Sequence, residues 1–414
     1  MEKVILVGAE TETNYQFFDE SMKELGNLTE TANGEVVGML TQKRQTVDRK
    51  TILGKGKLEE LKALVASKEA NTVIFNHKLT ARQTTVIEEV IDAKVIDRVQ
   101  LILDIFAARA TSKEGQLQVE LAQLSYMLPR LSGQGVDLSR LGAGIGSKGP
   151  GETKLETDRR HIRSKMTAIK HELKDLEKHR EVSRQKRKEA DILQIGLIGY
   201  TNAGKSTILN LLTDAKTYSE DKLFATLDPL TKKWELPTGM QTTLTDTVGF
   251  IQDLPTQLIE AFKSTLEESK NMDILLHVVD ATSENRDQQE KTVMKLVKDL
   301  EMEDIPMLTV YNKADLLTEP FVPTLFPNCL ISANKASDKE VLTRDIVTFL
   351  EETLTKYNLY YSPRDMQYFN QLKEHTLLLS YDYNEETNQY HMVGYAKNIQ
   401  KWDKGEPEVL ANKD

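Results

Sequence analysis

Gly199-Tyr200-Thr201-Asn202-Ala203-Gly204-Lys205-Ser206-Thr207 is the stretch of this chain best suited to chemistry on a phosphate. It follows the apolar run Ile192 to Ile198 and precedes Ile208-Leu209-Asn210-Leu211-Leu212, so it joins a strand to a helix. A triphosphate crowds several negative charges together. It needs backbone N–H groups that come close and the positive end of a helix dipole, and glycine permits that approach. Lys205 then supplies a point charge to the outer phosphates, and Ser206 a hydroxyl to a bridging magnesium ion.

A second element, Asn312-Lys313-Ala314-Asp315, ends the apolar segment Ile305 to Tyr311. Guanine presents a ring N–H and an exocyclic amine side by side, and one carboxylate, Asp315, can accept both. Adenine offers neither donor there, so Asp315 favours GTP over ATP by an amount on the order of several kcal/mol. Asn312 is expected to brace the loop and Lys313 to lie along the base.

Three further stretches complete a nucleotide site. In Asp246-Thr247-Val248-Gly249-Phe250, Asp246 is placed to hold magnesium through water and the Gly249 N–H to sense the terminal phosphate. In Phe224-Ala225-Thr226-Leu227-Asp228-Pro229, Thr226 is the candidate that closes on magnesium in the triphosphate state. In Ser332-Ala333-Asn334, after Cys329-Leu330-Ile331, a backbone N–H could reach the guanine carbonyl. Lys205, Thr226, Asp246 and Gly249 are thus the groups expected at the reacting phosphates, with Ser206, Thr226 and Asp246 around the metal.

The five elements stand in unpermuted order, and Asp191 to about Tyr357 resembles the Ras-like GTPase core. One position departs from many signalling relatives of that core. Where they carry a glutamine that orients the attacking water, this chain has Phe250. An apolar ring cannot orient water, so hydrolysis by the free protein should be slow unless Phe250 turns away and a large partner orders the site.

The rest of the chain must position this core. Its 414 residues exceed what one core serves, which predicts several domains. Before residue 110, Val4 to Val7, Val36 to Leu40, Val73 to Asn76 and Lys94 to Ile96 read as strands. Lys57 to Ser67 and Thr80 to Asp92 read as helices, giving a small α/β domain with a parallel sheet. Leu53-Gly54-Lys55-Gly56-Lys57 reads better as a glycine turn opening a helix than as a phosphate loop, and His77, without a partner in sequence, as structural or exposed.

Gln116 to Leu128 carries Leu117, Leu121, Leu124 and Leu128 at helical spacing. Leu155 to Glu189 is a long charged helix whose buried stripe is Ile162, Met166, Ile169, Leu173 and Leu176. The two suggest an antiparallel hairpin. Between them, residues 131–151 are too glycine-rich for a helix or a core and should be mobile in the free protein. Arg130, Arg140, Lys148 and Lys154 make that segment positive, and Arg159 and Arg160 extend the charge onto the long helix. Acidic residues are interspersed there, so the helix alone would read as a solvated face; together with the loop it reads as a contact for folded RNA.

The formal net charge of −10 argues against coating nucleic acid by bulk electrostatics, although a local basic face remains open. The single cysteine, Cys329, excludes an internal disulfide framework. The opening Met1 to Gly8 reads as a strand and not a signal peptide, and no apolar run approaches the ~18 residues of a membrane span. A cytoplasmic protein is expected.

Arg140-Leu141-Gly142-Ala143-Gly144-Ile145-Gly146-Ser147-Lys148-Gly149-Pro150-Gly151-Glu152-Thr153-Lys154-Leu155-Glu156-Thr157-Asp158-Arg159-Arg160 is similar to the signature ahead of the GTPase core in the HflX family. The order of parts matches that family along nearly the whole chain. The resemblance implies a translation-factor-like GTPase that binds the large ribosomal subunit and splits stalled ribosomes under stress. It also implies that residues 131–151 face ribosomal RNA near the peptidyl transferase centre, that the ribosome stimulates hydrolysis, and that a hydrophobic residue at position 250 is normal.

The expected architecture is therefore α/β: an N-terminal α/β domain (1–110), a helical hairpin with a glycine-rich basic loop (111–190), a P-loop GTPase domain (191–357) and a small C-terminal α+β appendix (358–414). In the appendix, Leu377 to Tyr383 and Tyr390 to Ala396 alternate like a hairpin around Asn384 to Asn388. The expected ligands are GTP, GDP and Mg2+, the expected partner is the large subunit, and the free protein is expected to be a monomer. The alternative function is a nucleotide-gated ribosome-binding module in large-subunit assembly or storage.

Overall fold

The computed structural model describes residues 1–131, 150–189, 191–213, 223–224, 229–251, 269–365 and 367–402. They fall into two compact units, residues 1–131, 150–178 and 223–224 in the first, and residues 179–189, 191–213, 229–251, 269–365 and 367–402 in the second.

In the first unit, β1 (Glu2–Glu10), α1 (Phe18–Thr31), β2 (Gly34–Lys43), α2 (Lys55–Lys68), β3 (Thr72–Phe75), α3 (Ala81–Ile91), β4 (Lys94–Asp97) and α4 (Arg98–Arg109) follow in order. The strands form a fully parallel sheet, β2-β1-β3-β4, as the alternating pattern predicts. Parallel sheets are covered on both faces, and β1 shows why: Val4 to Val7 are all buried. Ile5, Val7 and Ala9 share a core with Leu58, Leu61 and Val65 of α2 and Ile87 and Ile91 of α3. The opposite face is covered by α1, whose Phe18 and Met22 lie against Gly8, and by α4, which packs on α1. Neither helix is anticipated above. In α4 the apolar residues are too many for one stripe, because Val99, Leu101, Ile102, Leu103, Ile105 and Phe106 are all buried. The Leu53 to Lys57 segment is a turn that opens α2, with the Gly54 N–H donating to Gln42 Oε1 at 2.9 Å.

The hairpin helices are α5 (Lys113–Arg130) and α6 (Pro150–Glu189). Lys113 pairs with Glu172 at 3.2 Å, and seven residues along α5 Glu120 pairs with Lys165, seven residues back along α6. That counter-running register is antiparallel. On α6, Ile169 is buried and Ile162, Met166, Leu173 and Leu176 are half-buried amid exposed neighbours, as the stripe requires. The glycine-rich segment 131–151 lies almost wholly outside the described residues.

The second unit contains β5 (Leu193–Gly199), α7 (Lys205–Thr213), β6 (Leu230–Glu235), β7 (Gln241–Asp246), β8 (Ile274–Asp280), α8 (Arg286–Asp299), β9 (Met307–Asn312), β10 (Asn328–Leu330) and α9 (Asp338–Thr353). Its sheet runs β10-β9-β8-β5-β7-β6, parallel except for β6 against β7. From central β5 the strand order departs to both sides, which leaves a crevice at its carboxyl end. A last sheet, β11-β13-β12, is antiparallel and carries α10 (Gln367–His375): β11 is Thr355–Tyr361, β12 Leu377–Asn384 and β13 Gln389–Ala396. The expected hairpin is present, and β11, which straddles residue 357, adds the third strand. This sheet is built into the GTPase core: Leu377 belongs to the cluster that contains Leu193 and Leu244, Tyr395 packs on it, and Lys397 pairs with Asp273 at 2.5 Å.

Candidate nucleotide site

All strand ends that could bind nucleotide lie on one edge of the second sheet. Gly199 closes β5 and Lys205 opens α7, so the loop from Tyr200 to Gly204 turns in the crevice. Its path is set by backbone shape: Asn202 and Gly204 have φ of 61° and 100°. A Cβ on Gly204 would stand 2.1 Å from Asn312 Nδ2, so only glycine fits between the phosphate loop and the base loop.

Asn312 ties these loops together. Its Nδ2 donates to Ala203 O at 2.9 Å, and its Oδ1 accepts the Ala333 N–H at 2.9 Å. One amide thus joins the phosphate loop, the Asn312 to Asp315 turn and the Ser332 to Asn334 turn, which is the bracing role expected of it. Lys313, at φ 67°, pairs with Asp280 at 2.7 Å. Ala314 is tied back by its N–H to Ile331 O at 3.0 Å.

Asp315 is exposed, with Oδ1 accepting from Ser332 Oγ at 2.5 Å. That hydroxyl holds the carboxyl below the usual carboxylate range. It presents an ionised acceptor to solvent, as two guanine donors require. In the Ser332 turn, the Ser332 N–H donates to Asp338 Oδ2 at 2.7 Å and the Ala333 N–H is spent on Asn312. Among the described residues only the Asn334 N–H of the three has no such acceptor, which narrows the choice of donor for a base carbonyl.

At the phosphate end, Lys205 is 6% exposed, and its Nζ donates to Gly199 O at 3.1 Å and Tyr200 O at 2.8 Å. Burial pulls its pKa down to about 8, against the attraction of Asp246. Ser206 Oγ donates to Asp246 Oδ2 at 2.6 Å, bringing a hydroxyl and a buried carboxylate from α7 and β7 together. Thr207 is half-buried in the first turn of α7. Thr247 is anchored by its hydroxyl to Leu197 O at 2.6 Å, and Val248 is buried. Gly249 lies against Thr201 and Lys205, where a Cβ would come within 2.9 Å of Thr201 Cα.

Phe250 does not turn away. Its ring is 1% exposed, its N–H donates to Gly199 O at 3.1 Å, and its carbonyl accepts the Thr201 N–H at 2.7 Å. Sequence gave no sign that this backbone would lie directly along the phosphate loop. Nor did it single out His277, opposite Ile198 on β8, which burial and then Lys205 drive down to about 4, so that it is neutral at neutral pH.

Phe224 is described and buried, with its ring edge-on to Phe106 at 4.6 Å within the first unit. Ala225, Thr226, Leu227 and Asp228 lie outside the described residues, as do Arg140 and Lys148. Lys154 lies on α6, where Arg159 is half-buried and Arg160 exposed. Arg130 is held against the buried carboxylate of Asp97, at 2.9 Å, with its side chain 21% exposed. His77 is half-buried, and burial lowers its pKa.

The fold and the convergence of phosphate and base loops define a P-loop GTPase. Three family descriptions match the chain in order: "GTP-binding GTPase N-terminal" over residues 19–107, "GTP-binding GTPase Middle Region" over 109–187 and "50S ribosome-binding GTPase" over 194–313. The chain is 48% identical over 397 residues to GTPase HflX of Alkalihalophilus pseudofirmus, covering 96% of this chain and 94% of that one. It is 50% identical over 368 residues to GTPase HflX of Caldanaerobacter subterraneus subsp. tengcongensis, covering 89% and 86%. Among solved structures, a GTP-binding protein from Sulfolobus solfataricus in complex with GDP is similar, at a TM-score of 0.46 and 24% identity, covering 84% of this chain and 98% of that one. The chain belongs to the HflX GTPase family.

Proposed function

We propose that this protein binds the large ribosomal subunit in its GTP form, splits stalled or stress-inactivated ribosomes, and resets itself by hydrolysing GTP to GDP and phosphate. The observation that carries the nucleotide half of the reading is the Asn312 bridge, which ties the phosphate loop to the turns that carry Asp315 and Asn334. Membership of a family with a ribosome-binding GTPase match supports the choice of partner. Residues near Lys154, Arg159 and Arg160 on α6 are the RNA-facing candidates, together with Arg140 and Lys148 in the adjoining segment.

The residues present suit Mg2+, because Ser206 and Asp246 offer oxygen donors side by side. When bound, the ion neutralises charge developing on the phosphates. Lys205 adds its own charge there, the Gly249 N–H is the sensor of the terminal phosphate, and Thr226 is the proposed second hydroxyl for the metal. Phe250 supplies no polar atom from its ring, so water must be ordered by another group. We assign that ordering to the ribosome-bound state. No helix among the described residues is long and apolar enough to cross a membrane. The proposed protein is cytoplasmic, ribosome-associated and monomeric when free.

Ribosome profiles after addition of protein with GTP, a nonhydrolysable analogue or GDP test this. Loss of intact ribosomes with the analogue, and not with GDP, is the expected result. Binding confined to immature large-subunit particles would replace splitting by an assembly role.

A further inference from the structure

The end of α5 is fastened to the N-terminal domain by a buried carboxylate that no part of the nucleotide chemistry uses. Asp97 closes β4, and its side chain has no exposure. Each of its oxygens accepts two donors. Oδ1 takes the Gln100 N–H at 2.9 Å, capping α4, and the Tyr126 hydroxyl at 2.7 Å. Oδ2 takes the Leu79 N–H at 2.8 Å and Arg130 Nη2 at 2.9 Å. One donor comes from the loop before α3, one from the first turn of α4, and two from the C-terminal end of α5.

Arg130 and Tyr126 form a unit at that end. The guanidinium carbon lies 3.4 Å from the centre of the Tyr126 ring, and Nη2 also donates to Leu79 O at 2.6 Å. Tyr126 is 4% exposed, and burial with the neighbouring Asp97 pushes its phenol well above its ordinary value, so it stays a donor. Burying an ion pair adds little stability over an apolar contact of the same volume, but it fixes geometry, because each partner is costly to leave unpaired. Here the geometry fixed is the direction in which the chain leaves the domain at residue 130.

We propose that Asp97, with Tyr126 and Arg130, is a positioning node that aims the root of the basic segment 131–151 at ribosomal RNA. This deepens the ribosome-binding reading above and rests on it. The node fixes the end of α5 from which that segment leaves, and Arg130 serves by holding Asp97 instead of touching a phosphate. The substitution of interest is Asp97→Asn, which keeps shape and removes charge. Tyr126→Phe removes one hydroxyl and keeps the ion pair, so it reports even where Asp97→Asn folds poorly.

The test is sedimentation of full-length protein with purified large subunits and a nonhydrolysable GTP analogue, across a salt series, alongside hydrogen exchange of amides 126–131. Asp97→Asn and Arg130→Met should each weaken subunit binding roughly tenfold, Tyr126→Phe by about threefold, and Arg130→Lys less than Arg130→Met. Exchange near residue 130 should quicken, guanine nucleotide affinity should hold, and the double variant should bind no worse than the weaker single one. The slope of log affinity against log salt should stay that of the native protein. A slope shallower by about 0.7 to 0.9 in Arg130→Met would show a direct phosphate contact and overturn the proposal. So would native binding by all variants whose exchange has quickened. If native protein fails to sediment with large subunits in any nucleotide, the ribosome reading falls first and this one with it, and exchange in the variants still separates the two failures.

Discussion

Lys205 and Arg130 are two inward-facing cations in different units, and their surroundings differ in one respect. Arg130 meets a carboxylate, Asp97, whose acceptor sites are all taken. Lys205 meets two carbonyl oxygens, and burial draws its pKa down to about 8. A paired cation is spent on structure. A desolvated cation hydrogen-bonded to carbonyls, with the Asp246 carboxylate near but spent on Ser206, gains more from an arriving anion than a solvated lysine could. On the proposed function, the contrast separates a charge that builds the scaffold from one kept for ligand.

The largest expected effect breaks that contrast at its functional pole. Lys205→Ala should reduce GTP binding, read by calorimetry, by at least about a hundredfold and abolish turnover. Asp315→Asn should cost on the order of a hundredfold in GTP affinity and transfer preference to xanthine nucleotides, whose ring carbonyl pairs with the new amide. Gly204→Ala should lower the melting temperature and weaken nucleotide binding together, since the added methyl collides with Asn312 and the φ of 100° disfavours it.

Smaller effects sharpen the comparison. Phosphate must raise the Lys205 pKa above its ligand-free value of about 8, so the bound form holds its proton to higher pH. GTP affinity should therefore be flat below pH 8 and fall as pH rises through and beyond it, by up to about tenfold per unit. Lys205→Arg, protonated throughout, should remove that fall. Ser332→Ala releases the hydroxyl that steadies Asp315 and should cost roughly threefold to tenfold in guanine nucleotide affinity, with hydrolysis per bound GTP unchanged.

How much of this was legible in sequence follows from how local each cause is. The phosphate loop, Asp246 and Asn312 to Asp315 could be read because their chemistry is written in adjacent residues whose strand and helix context is also local. The two hairpin helices were visible in their leucine and isoleucine spacing, but the buried face of α5 is Gln118, Val119, Ala122 and Tyr126, and its leucines are only half-buried. The Arg130 contact was not legible, because its partner Asp97 is 33 positions away and reads as the end of an ordinary strand. Charge at a loop's edge suggests exposure until the fold supplies a buried acceptor. The helix α4 was missed because burial on nearly all sides erases the period of one face. In β11, Tyr357, Leu359 and Tyr361 alternate with exposed or half-buried neighbours, yet the strand begins immediately after α9 with no turn residues to announce it. Phe250 is the instructive case. Its type shows that the ring cannot orient water, but only the fold shows its backbone zipped to Gly199 and Thr201.

The most direct measurement is the rate of GTP turnover by the intact protein with and without purified large ribosomal subunits. Stimulation well above tenfold is expected, because the free protein's Phe250 leaves water unordered until the subunit supplies the missing order. Equal rates in the two samples, at subunit concentrations where the proteins demonstrably co-sediment, would contradict the account.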